Sequence, residues 1–279
     1  MIIDVHVHVA PEEVRENRER FLEGEPEFSL IYSDPRARLV GGEEVIEQMD
    51  RDGVDVSVIF GFPWRREETF RLNNDYVIEM ASRFKGRLIP FCCLDFRNKN
   101  ALKEVDRCFS LGAKGVGELA LYSSDITGGA REELLKVARL CREADVPILL
   151  HTNEPVGHHY PGKSPMTLRA LYELIKESPE SRWILAHMGG GLPFFAYLKR
   201  ECEEVLRNVY FDIAAMPFLY KPVALKVMME AVGSDRFLLG TDFPLLPPSR
   251  YYRELGQSPL SEEEKALVLG KNANKLFRE

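Results

Sequence analysis

The segment Asp4-Val5-His6-Val7-His8 places a carboxylate and two imidazoles at alternate positions of an otherwise apolar run. A strand has period two, so Asp4, His6 and His8 share one face and Val5, Val7 and Val9 the other. Burying three such polar groups without partners would be costly, so something must compensate them. Alternate Cα atoms stand about 6.5–7 Å apart, and two imidazoles leaning together can reach one cation at about 2.1 Å each. His151, His187, Glu118 and Asp242 recur in or at the ends of other short apolar runs, so four of the six histidines share this placement. Three histidines and a carboxylate form a mixed nitrogen and oxygen shell suited to Zn²⁺, with Mn²⁺ or Fe²⁺ as alternatives. Asp4 is expected behind the ligands, as a supporting acceptor or structural group.

Such a set needs elements that bring distant residues together. Eight apolar runs, at 2–9, 55–62, 87–94, 113–121, 146–151, 182–187, 208–215 and 236–243, alternate with stretches of helical period such as REELLKVARLCREAD. Eight strand–helix units in 279 residues predict an α/β fold, a single (β/α)8 TIM barrel over residues 1–279, whose usual size is about 250 residues. An open doubly wound sheet is the alternative, but eight regular units fit closure better. In a barrel the C-terminal strand ends converge on one mouth, where His6, His8, Glu118, His151, His187 and Asp242 would meet. Residues 10–42 form one long insertion after strand 1. They comprise a charged helix, PEEVRENRERFLEG, and a partly apolar arm, FSLIYSDPRARLV, and together make a candidate lid.

Composition bounds the rest. A formal charge of −7 disfavours nucleic acid as a partner. No apolar run reaches about 18 residues, and no signal-peptide pattern is visible, so no membrane association is expected. Five cysteines without a two-residue-spaced pair suggest a reduced, cytoplasmic protein. The expected partner is a small-molecule substrate, and a homo-oligomer is left open.

DVHVH in strand 1, His151 in LLHTNEP, His187 in LAHMGGGLPF and Asp242 in LLGTDFP together resemble the amidohydrolase superfamily, and its amidohydrolase-related branch of hydrolases and decarboxylases. The resemblance spans Asp4 to the closing NANKLF. It implies that His6, His8 and Asp242 hold a first divalent metal. His151 would join them in a one-metal site, or bind a second ion with His187. Asp242 would also take a proton from metal-bound water. GVGELAL resembles the strand of the metal-dependent deoxyribonuclease branch that carries a bridging carboxylate, so Glu118 favours two ions over one. The expectation is a metal-dependent hydrolase cleaving an amide, ester or lactone bond of a small, anionic substrate, with Asp242 and His187 catalytic. A decarboxylase of a carboxylated small molecule is the alternative. A nuclease and a non-catalytic binding barrel rank below both.

Gly157 to Ser164 satisfies the GxxxxGK[ST] phosphate-loop pattern. It begins six residues after His151, however, and Pro161 has no N–H to offer a phosphate. The segment is better read as a substrate loop, in which His158, His159, Tyr160 and Lys163 meet an anionic group. Trp64, Arg65 and Tyr122, with Tyr220, follow strands and are expected to line the mouth. Gly189-Gly190-Gly191 is read as a tight turn before a helix started by Pro193, and Met228-Met229 and Phe194-Phe195 as helix packing.

Overall fold

Eight parallel strands, β1 (Ile3–His8), β2 (Val56–Phe60), β3 (Leu88–Pro90), β4 (Val116–Leu119), β5 (Ile148–Leu150), β6 (Trp183–Leu185), β7 (Val209–Asp212) and β8 (Phe237–Leu238), appear in sequence order in the computed structural model, which describes residues 1–278. β1 to β3 form one sheet and β4 to β8 another. Two seams join them. At the first, Cys92 bridges Val116, and the Gly117 N–H donates to the Cys92 carbonyl at 2.7 Å. At the second, Val7 bridges Phe243, and the Val5 N–H donates to the Leu239 carbonyl at 2.8 Å. The ring is the TIM barrel of the sequence expectation.

The strands read as near-continuous apolar runs because helices cover them on the outside. Val58, Phe60, Phe91, Leu149, Ile184 and Leu238 come from four strands and the residue after β3, and they pack into one buried cluster. A second cluster joins Val116, Ile148, Trp183, Phe211 and Phe237 to side chains of the surrounding helices. The ladders are shorter than the apolar runs. Beyond β6 and β8 the backbone leaves the sheet, and His187 and Asp242 adopt φ of 54° and 57°. Left-handed conformations of this kind cost non-glycine residues on the order of 1 kcal/mol and gather at functional sites.

Two glycines permit contacts that no other residue could. A Cβ on Gly117, whose φ is +136°, would lie 2.3 Å from the Leu149 carbonyl oxygen. Glycine there lets β4 approach β5 just before Glu118. A Cβ on Gly190 would lie 2.3 Å from the Asn153 carbonyl oxygen, which ties the turn after β6 to the loop after β5. The expected glycine turn is present, and the helix expected from Pro193 is a 3-10 helix, the end of the tightly wound run His187–Tyr197, in which Phe195 packs against the core while Phe194 is exposed. Met228 and Met229 are buried in the helix Val223–Val232.

The insertion folds as three short helices, Glu12–Glu16, Arg18–Leu22 and Pro26–Tyr32. The charged helix is therefore split at Asn17, and only the start of the apolar arm, Phe28 to Tyr32, is helical. Two acids fasten it to the barrel. The buried Glu25 carboxylate accepts the Arg65 and Arg66 N–H groups at 2.7 and 2.9 Å, at the start of the helix Glu67–Arg83, where the positive end of the helix dipole favours an anion. Glu27 accepts the Tyr122 N–H and the Ser123 hydroxyl, both at 2.9 Å. Phe28 then packs on Trp64 with ring centroids 4.3 Å apart.

Candidate metal centre

Period two and the barrel's strand order bring the six ring and carboxylate residues to one point. His6 Nε2 lies 3.3 Å from His8 Nε2. Asp242 Oδ1 lies 3.6 and 3.1 Å from those two nitrogens, and Glu118 Oε2 lies 3.6 and 3.5 Å from them. Glu118 turns its other oxygen to the far side, where Oε1 is 3.0 Å from His151 Nδ1 and 3.6 Å from His187 Nε2. Glu118 thus stands between two histidine pairs, with one oxygen for each.

The remaining ring nitrogens determine what these atoms can be. His8 Nδ1 faces the Gly61 carbonyl at 3.3 Å, His151 Nε2 the Gly162 carbonyl at 2.9 Å, and His187 Nδ1 the Ala214 carbonyl at 3.0 Å. A carbonyl only accepts, so each of these nitrogens must carry the proton. In the neutral ring the other nitrogen then presents a lone pair. His6 Nδ1 faces a carboxylate oxygen of Asp212 at 2.8 Å and falls under the same logic. Four imidazole lone pairs and two carboxylates therefore crowd one small volume. Only a cation or added protons can occupy it. A tetrahedron of ligands about 2.1 Å from its centre has edges of about 3.4 Å, and the separations of the His6 and His8 nitrogens from each other and from the Asp242 and Glu118 oxygens are 3.1–3.6 Å. The donor set fits a divalent ion.

The electrostatics agree. Burial works against charging His6, but Asp212 and Glu118 outweigh it and raise its pKa well above the ordinary 6.5. Burial also opposes charging His187, and Glu118 and Asp242 overcome it, raising that pKa as well. Burial would push Glu118 up, yet His6 and His151 hold it well below 4.5. Asp242 is lowered against burial by His8 and His6. The carboxylates that hold protons on these rings would hold a divalent cation in their place.

Asp4 lies behind the cluster, as expected. It accepts the N–H groups of His6 and Thr241 at 3.1 and 3.0 Å and the Thr241 hydroxyl at 2.6 Å, fixing the residue before Asp242. Burial raises its pKa to about 7, partly offset by Thr241.

The substrate residues expected from sequence divide. Tyr122 packs its ring 4.9 Å from that of His151. Trp64 is buried in a pocket beside His8, with its indole N–H donating to Asn73 at 2.9 Å. Tyr220 donates its hydroxyl to the His187 carbonyl at 3.0 Å. Lys163 is engaged elsewhere: its ammonium donates to Glu154 at 2.8 Å and to the Val156 carbonyl, bracing its own loop. Tyr160 joins that brace through Glu154 at 2.9 Å. His158 and His159 are exposed on this loop, and no hydrogen bond or ion pair joins either ring to the cluster among the described residues. Arg65 is exposed in a polar groove with Glu27, Asp95 and Arg97, among residues that belong to neither histidine group.

Three residues were not anticipated. Asp212 is fully buried on β7, and its one signal was a carboxylate inside the apolar run NVYFDIAA. Arg38 and Tyr32 of the insertion line the pocket beside His8 with Phe28, Phe62 and Trp64. Neither carried a local signal.

The family model for amidohydrolases matches residues 3–278. The chain belongs to the amidohydrolase family. Among curated relatives, 2-amino-3-carboxymuconate-6-semialdehyde decarboxylase of Caenorhabditis elegans is 21% identical, over 99% of this chain and 94% of the relative. Among solved structures, 5-carboxyvanillate decarboxylase from Sphingomonas paucimobilis aligns with a TM-score of 0.78 at 18% identity, covering 99% of this chain and 98% of that one. Dihydroxybenzoic acid decarboxylase from a Polaromonas species, with bound manganese and the inhibitor 2-nitroresorcinol, aligns at 0.72 and 19%, covering 99% and 96%.

These relatives overturn the hydrolase expectation, since they are decarboxylases. The motifs that suggested hydrolysis build the candidate metal centre and do not by themselves distinguish hydrolysis from decarboxylation. Zinc as first choice has no support here either, because the Polaromonas neighbour holds manganese. No helix among the described residues is long and apolar enough to cross a membrane.

Proposed function

We propose that this amidohydrolase is a metal-dependent decarboxylase of a small, unsaturated carboxylic acid. The reading rests on the converging lone pairs and carboxylates around Glu118, taken with the decarboxylases to which the chain is similar. The proposed ion is manganese, one per chain, with His6, His8, Glu118, His151 and Asp242 holding it. When bound, such an ion would polarise a substrate oxygen and draw off electron density as the carbon–carbon bond breaks.

The chain's own groups supply the rest. Phe28, Phe62 and Trp64 pack together beside His8 and make that side of the centre apolar, which favours a small unsaturated substrate. Arg38 lines the same pocket, its guanidinium carbon 5.8 Å from the Phe243 ring centre, and makes no hydrogen bond or ion pair among the described residues. It is the proposed partner of a substrate carboxylate, since a guanidinium fork matches that geometry. When carbon dioxide leaves, the bonding pair stays on carbon and must take up a proton. His187 is the proposed donor: Ala214 fixes Nδ1 as an N–H, so the transferable proton is on Nε2. Asp242, whose side chain is 18% exposed, is the proposed group that returns protons to His187 between turnovers.

The test is turnover of manganese-loaded protein on a panel of hydroxylated aromatic and enoic carboxylates, scored by carbon dioxide release. Carbon dioxide with stoichiometric loss of the carboxylate supports the reading. Absence of release across the panel, with metal bound and the same acids recovered, would reject it.

A further inference from the structure

Three of the four cluster histidines have their outward nitrogen fixed by a backbone carbonyl, from Gly61, Gly162 and Ala214. His6 alone is fixed by a side chain. Asp212, on β7, accepts from His6 Nδ1 through Oδ2 at 2.8 Å. Through Oδ1 it accepts the His187 N–H at 3.0 Å and the Ala214 N–H at 2.9 Å. The same carboxylate therefore orients one imidazole of the metal set and holds the backbone of another residue of the centre, His187, whose φ is 54°. The Ala214 N–H that it takes belongs to the residue whose carbonyl fixes the His187 ring.

We infer that Asp212 is a positioning residue that sets the His6 tautomer, keeping the proton on Nδ1 and the lone pair on Nε2 toward the ion, while locking His187 in place. The inference rests on the metal-centre reading above. The chemistry makes it specific to a carboxylate. In Asp212→Asn the amide has one accepting oxygen and one donating nitrogen. Two backbone N–H groups claim the oxygen, because facing them with the NH₂ would set donors against donors. The NH₂ then faces His6 Nδ1, which must become the acceptor. The His6 proton moves to Nε2 and points into the cluster, where a proton and a metal ion exclude each other. The fold keeps its two backbone bonds, and the metal loses a ligand. Outer-shell partners of this kind change metal affinity by about 10–100-fold.

The experiment is calorimetric titration of chelator-treated wild type and Asp212→Asn with Mn²⁺, with thermal unfolding of both metal-free proteins by circular dichroism. Affinity falling at least tenfold in the variant, with cooperative unfolding retained, supports the assignment. Equal affinities would overturn it while leaving the metal centre standing. No binding by wild type would reject the metal centre and the inference with it. If the variant does not fold, long-range proton–nitrogen NMR of Zn²⁺-loaded wild type answers the same question. A proton on His6 Nδ1 supports the role, and one on Nε2 overturns it.

Discussion

Glu118→Gln is the sharpest perturbation of the centre, because it changes one charge and almost no volume. The two Glu118 oxygens lie 3.0–3.6 Å from nitrogens of all four cluster histidines. Opposite unit charges about 4 Å apart in a medium of effective dielectric 20 attract by ~4 kcal/mol, and a divalent ion doubles the bare figure. An amide keeps one ligating oxygen and is easier to desolvate than a carboxylate, which offsets most of that loss. Its NH₂ must also face one histidine pair and donate to lone pairs that would otherwise serve the ion. A net penalty of ~3 kcal/mol is expected, about a hundredfold in Kd. Chelator-treated wild type and variant would be titrated with Mn²⁺, bound metal counted by elemental analysis, and folding checked by circular dichroism. One ion per wild-type chain and a hundredfold weaker variant are expected. Affinities within threefold of each other would remove Glu118 from the ligand set. Two ions per wild-type chain would make His187 a ligand and refute its assignment as proton donor.

Asp242→Asn keeps an oxygen near His8 but cannot relay a proton, so kcat should fall about 10²-fold or more with much of the metal retained; near-normal carbon dioxide release would assign the relay elsewhere. Arg38→Met should raise KM by roughly 30-fold with a smaller change in kcat, since a charge-assisted pair contributes ~2 kcal/mol to ground state and transition state alike. An unchanged KM would mean that the substrate carboxylate binds elsewhere. Burial raises the Asp4 pKa from 3.8 to about 7, so the folded state binds this proton more tightly than the unfolded chain. Its contribution is full below pH 4 and is lost as pH rises through about 7. Metal-free Asp4→Asn should therefore gain Tm relative to wild type across that window, and a difference independent of pH would refute the sign.

Much of the centre was legible because strands impose a simple rule. His6 and His8 share a face by period two, and His151, His187 and Asp242 follow strand ends that a barrel must bring to one mouth. Residue type and spacing therefore pointed to a metal site before any contact was known. Contacts that cross the barrel were not legible. Asp212 meets His6 across 206 residues of sequence, and nothing local marks a strand aspartate as its partner. Arg38 and Tyr32 lie on an insertion without periodic pattern, where packing of Phe28 against Trp64 and the anchoring by Glu25 decide which side chains reach the pocket. In the loop after β5, the sequence placed Lys163 for pairing with an anionic group but did not show that Glu154, nine residues away, pairs with it once the chain turns back on itself. Sequence alone determined the residue types, their faces and the closed barrel, because periodicity and strand order are properties of the chain. Tertiary structure decided tautomers, free charges and pocket walls, because these depend on which groups compete for each donor and acceptor in space.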